Sequence, residues 1–450
     1  MKRRAMLSSA AGGMVFVLSI VRHFLPELIP SHLIALFLFM FAALEFHATA
    51  RFHKMAIALL VVIGIGFAVL DPHPFAVILD GFHRTSGFFV LFVAVLWLRI
   101  PASESSALRA AQEAAIRQPP GRRYLILSLT SHAIGAILNL AGLSLVSAIV
   151  ERQNVLALQR RLTQAISQAF TAATCWTPFY TSMALVLTTV PGLTWGEIAP
   201  YGMGLSATLI LGSWGLSRLQ REGSVEIQAP PCRTEAAWRA FALLGALFAA
   251  VIPLTEGAAL PIPIALGLVA PAFGLAWIVA QHWPAARPIP VMTRLARAVI
   301  EGIPNLRGEA LLFLAANVMG AGLAANVTPE ATKSVLDALH LSPDFNIIVV
   351  VCAMAVLGSV GVHGVIMVVV VGQILPAETL GLPSPIYGVM LLAMWGISST
   401  ASPVSPTILY VSRFSKAPPW TISWIWNMPY LALGTSIVAA MAVSARHLAL

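Results

Sequence analysis

The chain has 450 residues, of which 58% are hydrophobic and only 10% charged, and its mean hydropathy is +0.85. Soluble proteins carry about 25% charged residues, so this composition excludes a protein with a water-covered surface and predicts an all-α polytopic membrane protein. Lysine and arginine outnumber aspartate and glutamate by 27 to 18, which gives a net charge of +9. These charges lie mostly in loops between apolar runs, where they set topology and meet the lipid bilayer. They do not indicate a nucleic-acid partner.

The chain begins with a basic cluster at residues 2–4 and an apolar run at 14–29. No convincing cleavage site follows, so we expect a retained first helix whose N-terminus is cytoplasmic. The polar stretch 71–85 is expected to lie at the interface or to form a short elbow before a span at 86–98. The arginine-rich segment 101–123 is expected to be a cytoplasmic loop that is partly an amphipathic helix. Further spans of this region are predicted at 31–48 and 54–70.

The remaining spans show the same order of elements twice, once before and once after a hydrophilic loop at 217–239. We expect this loop to divide the chain into halves 1–225 and 226–450. A connection is expected from 281 to about 305, and a polar connection with an amphipathic helix at 326–345. The total is about 11–13 segments of ~20 residues, two of which turn back midway. The predicted apolar segments are 124–150, 162–190, 200–216, 240–253, 261–280, 307–325, 346–375, 385–411 and 420–443.

Two apolar segments are interrupted by hydroxyl residues and proline. The stretch 396–413, GISSTASPVSPTILYVSR, carries five serines, two threonines and two prolines, and the stretch 171–182, TAATCWTPFYTS, resembles it. Thr177-Pro178 in one matches Ser402-Pro403 in the other. Because proline removes a backbone donor, both segments are predicted to be Pro-broken helices, and such a pair is typical of a transporter binding site. The alternative is that each proline only kinks a packing helix whose Ser and Thr bond the freed carbonyls.

Each half also has a polar, glycine-containing middle in the apolar run before its break, at 136–144 and 358–364. Glycine permits the sharp reversal of a re-entrant hairpin. Helix ends beside such a turn present N–H groups that suit an anion, whereas unwound carbonyls suit Na⁺. His363 is a titratable group in mid-membrane, either a functional group or a packing histidine. We expect His132 to make a helix–helix hydrogen bond, and Arg307 and Glu309 to snorkel or pair locally at a membrane edge.

These features predict one polar cavity at mid-depth that binds the substrate through hydroxyl and amide groups. Na⁺ is the candidate coupling ion, near Asn139, Thr174, Ser359 and Ser399, and no other cofactor is expected. The predicted substrate-binding residues are Asn139, Thr174, Thr177, Ser359, His363, Ser399, Thr400 and Ser402.

From about residue 124 onward the sequence resembles the ion transporter superfamily, which includes divalent-anion/sodium symporters and arsenite permeases. The resemblance rests on a polar hairpin tip followed by a Pro-broken helix in each half, and on the segment 191–195, PGLTW, before a span. It implies an inverted repeat, a scaffold domain, a mobile transport domain and elevator-type alternating access. The family's Ser-Asn-Thr hairpin signature is not intact, since the tips read Leu138-Asn139-Leu140 and Gly358-Ser359-Val360. Of the residues in that signature, the resemblance therefore transfers a binding role to Asn139 and Ser359 only.

The expected function is secondary transport of a small organic or inorganic anion, most simply a carboxylate, across the inner (cytoplasmic) membrane with Na⁺ or H⁺. Nucleotide-binding, HExxH and GxSxG patterns are absent from the sequence, so an ion gradient must supply the energy, and we do not expect an enzyme. The alternatives are a membrane enzyme with a polar intramembrane site and a non-catalytic subunit of a larger complex. A homodimer is one candidate assembly. Neither a metal site nor a disulfide framework is indicated by the widely spaced Cys175, Cys232 and Cys352.

Overall fold

The computed structural model describes residues 2–139, 142–143, 146–147, 150, 155–219, 234–284, 287–338 and 340–449. Within these residues the chain forms helices and turns, and no strand occurs there. In chain order the α-helices are α1 (Lys2–Phe24), α2 (Ser31–Glu45), α3 (Arg51–Ala68), α4 (Pro74–Glu104), α5 (Ser106–Ile116), α6 (Pro120–Leu138), α7 (Leu156–Ala172), α8 (Thr181–Thr189), α9 (Trp195–Leu219), α10 (Thr234–Ile252), α11 (Ile262–His282), α12 (Pro288–Gly302), α13 (Arg307–Asn326), α14 (Pro329–Ala338), α15 (Pro343–Ser359), α16 (Gly364–Ile374), α17 (Ser384–Ala401), α18 (Pro406–Ser415) and α19 (Met428–Ala449).

The fold is that of an all-α polytopic membrane protein. Seven helical segments of the described chain are long and apolar enough to cross a bilayer, by length and composition: Arg3–Phe24, Ser31–Ala48, Pro74–Glu104, Trp238–Gly257, Ile262–His282, Pro288–Asn326 and Met428–Leu448. Three shorter apolar helices are His53–Ala68, Pro343–Ser359 and Gly364–Ile374. The total of 11–13 membrane segments stays a prediction.

The short elbow predicted at residues 71–85 is wrong, whereas the alternative of an interfacial location stays a prediction. The chain is helical from Pro74 onward, and α4 continues without interruption through the predicted span. Three of its polar side chains pair within the helix: Arg84 pairs with Asp80 one turn earlier at 2.7 Å, and the Thr85 hydroxyl bonds the Gly81 carbonyl at 2.7 Å. Local pairing of this kind lowers the cost of a polar stretch in a long helix.

The predicted connection up to residue 305 is also wrong, because it contains the amphipathic helix α12. Val291, Leu295 and Val299 recur every four residues and are all buried, whereas Arg294 lies on the exposed side. This spacing is the usual signature of a helix with one apolar face. It was obscured by the arginines, which point away from the buried face.

The structure divides into two compact units. Unit 1 comprises Met1–Pro101, Ala249–Lys333 and Val369–Leu375, and unit 2 comprises Ala102–Phe248, Ser334–Val368 and Pro376–Leu450. Each unit combines segments from before and after the predicted boundary near residue 225. That division into sequence halves stays a prediction, and residues 220–233 of its boundary loop lie outside the described residues.

Unit 1 is held together by close backbone packing. A Cβ at Gly64 of α3 would meet the Met319 backbone of α13 at 2.8 Å, and one at Gly322 would meet the Gly64 carbonyl at 2.6 Å. The buried Asn317 amide on α13 donates to the Thr85 hydroxyl at 3.3 Å. Small residues at crossing points are the usual means by which membrane helices approach closely.

Unit 2 is arranged around α17. Nearly every side chain of this helix from Ile386 to Ala401 is buried in protein, although the helix is apolar enough to face lipid. Its glycines allow the approach: a Cβ at Gly388 would meet Leu193 at 2.8 Å, and one at Gly396 would overlap the Thr174 hydroxyl and the Thr171 carbonyl. A surface that requires glycine at the contact cannot accept a larger residue without moving a backbone.

We therefore expect Gly396→Ala to lower the thermal unfolding midpoint of the purified protein, because overpacking a tight contact costs about 1–3 kcal/mol. Gly204→Ala on α9 is the matched control, since a Cβ there meets nothing within 4 Å. Alanine is the better helix former by roughly 1 kcal/mol, so the control should leave the midpoint unchanged or raise it. Equal midpoints for the two variants would contradict the proposed close contact.

Candidate functional site

The first predicted helix break is present in unit 2. Helix α7 ends at Ala172, a short 3₁₀ turn follows at Ala173–Cys175, and α8 begins at Thr181. Pro178 cannot donate, and the Thr177 hydroxyl instead accepts a bond from the Phe179 N–H at 3.3 Å. Proline alone does not cause the break, because Pro101, Pro200 and Pro271 lie inside helices of this chain. Local hydroxyl-to-backbone bonds compete with the helix here.

The second break has the same form. Helix α17 ends at Ala401, Ser402 is extended, and α18 begins at Pro406. Residues 177–180 and 402–405 have the same backbone pattern directly before the next helix, with proline second in each, although the first connection also contains the 3₁₀ turn and Trp176. A short helix of 9 residues (α8) or 10 residues (α18) follows, and then a long closing helix, α9 or α19. Both breaks lie at the predicted positions Thr177-Pro178 and Ser402-Pro403, and the correspondence of the two segments as repeats stays a prediction.

Carbonyl groups freed at the breaks already have partners. At the first break the Trp176 carbonyl accepts from the indole N–H of Trp195 at 2.7 Å. At the second, the Thr400 carbonyl accepts from the Asn427 amide at 3.0 Å. Trp195 opens α9 and Asn427 immediately precedes α19, so in each case a side chain at the start of the closing helix supplies the donor. Buried carbonyls need such partners where water is excluded.

Four of the six hydroxyls among the predicted binding residues bond carbonyls of the preceding helical turn. Thr174 donates to Thr171, Thr400 to Ile397, Ser399 to Trp395 and Ser359 to Val356, each at 2.7 Å. This pattern is the alternative interpretation of the sequence, in which hydroxyls satisfy backbone groups. A hydroxyl that donates to a carbonyl still has lone pairs that can accept. Ligand binding by these residues therefore stays a prediction.

Thr174 and Thr177 tie the first break to neighbouring helices. The Thr174 hydroxyl also reaches the Leu392 carbonyl of α17 at 3.1 Å, and the Thr177 hydroxyl donates to the Ala136 carbonyl of α6. Thr174 thus brings the first break against the helix that contains the second break. Ser402 is buried at the end of that helix.

Both predicted hairpin tips lie where helices end. Asn139 follows the last residue of α6 with a φ of 52° and is half-buried, and the tip residue Leu140 lies outside the described residues, as does Ser144. At the second tip Gly361 has a φ of 109°, and the Val362 N–H bonds the Leu357 carbonyl at 2.9 Å, as in a Schellman helix end. A left-handed φ of this kind favours glycine.

The second tip is supported by aromatic residues. Trp424 donates its indole N–H to the Ser359 carbonyl at 3.0 Å. His363 is half-buried, accepts a bond from the Val365 N–H at Nδ1 at 3.2 Å, and lies edge-on to the Trp395 ring with 5.9 Å between centroids. His363 therefore has packing contacts of its own. A cavity shared by both tips and both breaks stays a prediction.

His132 makes the helix–helix hydrogen bonds that the sequence predicts. Its Nδ1 lies 2.9 Å from the Ala169 carbonyl of α7, and its Nε2 accepts from the Trp176 indole at 3.0 Å. This geometry requires the neutral tautomer with the proton on Nδ1. Local pairing is also found for Arg307, which lies 3.6 Å from the Glu45 carboxylate in unit 1.

Sequence reasoning missed a chain of buried polar side chains that links α6, α7 and α9 to the second break within unit 2. Ser213 on α9 donates to the Gln168 carbonyl oxygen at 2.6 Å and shares a 2.7 Å bond with Tyr124 of α6. The Gln168 amide donates to Asn427 at 2.8 Å, and Asn427 bonds the freed Thr400 carbonyl. The available signal was the polar spacing of α7, where Gln164, Gln168 and other polar residues recur every four positions in an apolar chain.

No protein-family model matches the sequence, and no curated protein matches it. The structure is similar to the YdaH transporter of Alcanivorax borkumensis, which is described as having an unusual topology, with a TM-score of 0.56 and 12% identity over 86% of this chain and 97% of that one. It is also similar to Neisseria gonorrhoeae MtrF, which is described within a class of antimetabolite efflux pumps, with a TM-score of 0.53 and 11% identity over 87% and 94%. At these identities the likeness shows a common fold. Membership of the ion transporter superfamily stays a prediction.

We expect Gln168→Leu and Asn427→Leu each to lower the thermal unfolding midpoint, because either change leaves the other amide buried without its partner, at a cost of about 1–3 kcal/mol. The double variant should lose less than the sum of the two, with a coupling of about 0.5–3 kcal/mol. Gln168→Leu combined with Ser436→Ala, an exposed hydroxyl on α19, should be additive. Additive losses in the Gln168/Asn427 cycle would contradict the bonded chain.

Proposed function

We propose that this protein is a secondary active transporter of a small anion, most simply a carboxylate, driven by Na⁺ or H⁺. The observation that carries the proposal is the pair of matched helix breaks at 177–180 and 402–405, with Thr174 beside the first break bonded to the Leu392 carbonyl of α17, the helix that ends at the second. Interrupted helices in corresponding places are the usual construction of a transporter site. The fold shared with two transporters supports the same class.

The breaks offer groups that suit an anion without a buried cation. Helix α8 begins at the first break, and no side chain caps it with a hydrogen bond. The first N–H groups of a helix carry a partial positive charge that attracts carboxylates and other oxyanions. At the second break Ser405 caps α18 through the Ile408 N–H, so that end is already occupied. The first break is therefore the better-equipped anion site.

An elevator mechanism requires a compact body that contains the whole binding site and can move as one. Unit 2 is compact and contains both breaks, Asn139 and the tip at Ser359, which supports an elevator mechanism for this protein. The Gln168–Asn427 chain would keep the two breaks in one arrangement during the movement. We propose unit 2 as the transport body and unit 1 as the scaffold, in the inner membrane.

Export is the second candidate direction, favoured by the likeness to an antimetabolite efflux pump. Import and export use the same alternating-access site, so the direction depends on the gradients and on the substrate. Vesicles with protein in both orientations, loaded or unloaded with a carboxylate panel, would reveal either direction.

We expect Asn139→Ala and Ser402→Ala to weaken carboxylate transport in liposomes by roughly ten- to a hundred-fold in affinity, because a hydrogen bond to a charged group is worth about 1.5–3 kcal/mol. A panel of mono- and dicarboxylates would first be screened by thermal shift with and without Na⁺, since a ligand that binds the folded state stabilises it. The measurement is then initial uptake rate against substrate concentration.

Thr208→Ala is the matched control, because its hydroxyl is exposed on α9 and bonds only one turn back within that helix. All three variants should keep the wild-type elution profile in detergent. If Asn139→Ala and Ser402→Ala transported at wild-type rate and affinity, the breaks would not be the site, and His363 or Glu309 would replace them as candidates.

A further inference from the structure

A small cavity lies inside unit 2, beside the polar chain that reaches the second break. Its accessible volume is about 10 Å³, which is close to the space of one water-sized sphere. Residues from four elements line it, including Tyr124 of α6, Gln164 and Gln168 of α7, and Ser213 and Ser217 of α9. Trp426 and Tyr430 close it from the segment around the start of α19.

Gln164 presents an unsatisfied acceptor to this cavity. Its side chain is 4% exposed, and its amide N–H donates to the Trp426 carbonyl at 2.6 Å. That bond fixes which end of the amide is nitrogen, so the other end must be the carbonyl oxygen. This oxygen has no hydrogen-bond partner within the described protein. A buried acceptor without a partner costs about 1–3 kcal/mol, which a bound guest would recover.

The lining also includes other oxygens, although the Gln168 amide oxygen already accepts bonds from Tyr124 and Ser213. Gln168 contributes an amide oxygen, Tyr124 and Ser213 contribute hydroxyls that bond each other, and the Ser217 hydroxyl donates to the Trp214 carbonyl at 2.7 Å. Neutral carbonyl and hydroxyl oxygens are the ligands of Na⁺ at unwound helices of transporters. They also suit a water molecule, which typically makes about three hydrogen bonds in such a site.

We propose that this cavity is a built site for one small guest that is coordinated by oxygen atoms, either Na⁺ or a single water molecule, with the Gln164 carbonyl oxygen as its defining ligand. The site is separate from the predicted binding site at the breaks. It binds its guest whether or not the protein is a transporter. Because the guest adjoins Gln168, its binding stabilises the chain from Tyr124 to Thr400.

Local charge distinguishes the two guests. Arg161 lies one turn before Gln164 on α7 and is close enough to act electrostatically on Tyr124. A guanidinium at that range opposes a cation and leaves a neutral guest unaffected. Water is therefore favoured on electrostatic grounds. Na⁺ binds here only if the lining oxygens supply a full coordination shell that offsets the repulsion from Arg161.

The test uses the whole purified protein in detergent, titrated with NaCl against N-methylglucamine chloride at constant ionic strength. If the guest is Na⁺, the unfolding midpoint rises with Na⁺ alone. Gln164→Leu then abolishes this rise, while the neighbouring Thr163→Val retains it. Thr163 is the matched control because its hydroxyl is also buried without a partner but does not line the cavity.

An experimental map at a resolution that shows ordered water completes the test. Density bonded to the Gln164 oxygen at about 2.7–3.1 Å, with no Na⁺-specific shift in midpoint, identifies water. Shorter contacts together with a Na⁺-specific shift identify the cation. An empty cavity without any Na⁺-specific shift, or a Gln164 oxygen bonded to another protein group, would overturn the proposal.

Discussion

The central constraint on this protein is that a backbone carbonyl freed inside a membrane must find a donor within the protein. Two helices are interrupted at a hydroxyl–proline pair, and each interruption frees carbonyls. The Trp195 indole satisfies one at the first break, and the Asn427 amide satisfies one at the second. Both donors lie at the start of the helix that closes their segment. The breaks are therefore stable features of the fold, held open by side chains placed for that purpose.

This constraint explains why α17 is buried in protein and packed so closely. A broken helix exposed to lipid would present unsatisfied groups, whereas a helix surrounded by other helices can have each group paired. Gly388 and Gly396 let neighbouring elements reach the backbone of α17 directly. The Thr174 hydroxyl can then reach the Leu392 carbonyl, which joins the first break to the helix of the second.

The polar chain through Gln168 gives the breaks a common support. A hydrogen bond between two buried amides is directional, so moving one break relative to the other would leave an unpaired group in a dry environment. Rigid support matters for a binding site, because ligands must meet groups that are already in position. The same packing leaves a void beside Gln164, since neutral side chains of fixed shape do not fill every space.

Several local errors of the sequence analysis have a common cause. At 71–85 the charges of Asp80 and Arg84 were interpreted as incompatible with a span, but they pair within one helix. In α12 the arginines obscured the buried spacing of Val291 and Leu295. In both cases the prediction used the residue composition of the segment, which does not indicate on which side of a helix each side chain lies. Direction depends on the helical period, which composition does not record.

By itself the sequence determined the membrane class, the approximate places of the helices, both breaks and both helix ends at Asn139 and Ser359, because each depends on local chemistry: apolar runs, proline, glycine and hydroxyls. The partners of those groups were decided only by the tertiary structure. Gln168 and Asn427 are 259 residues apart in the chain, and nothing local to either predicts the other. Whether a polar group in a membrane protein bonds its own helix, a distant helix or a guest depends on which surfaces meet when the helices pack.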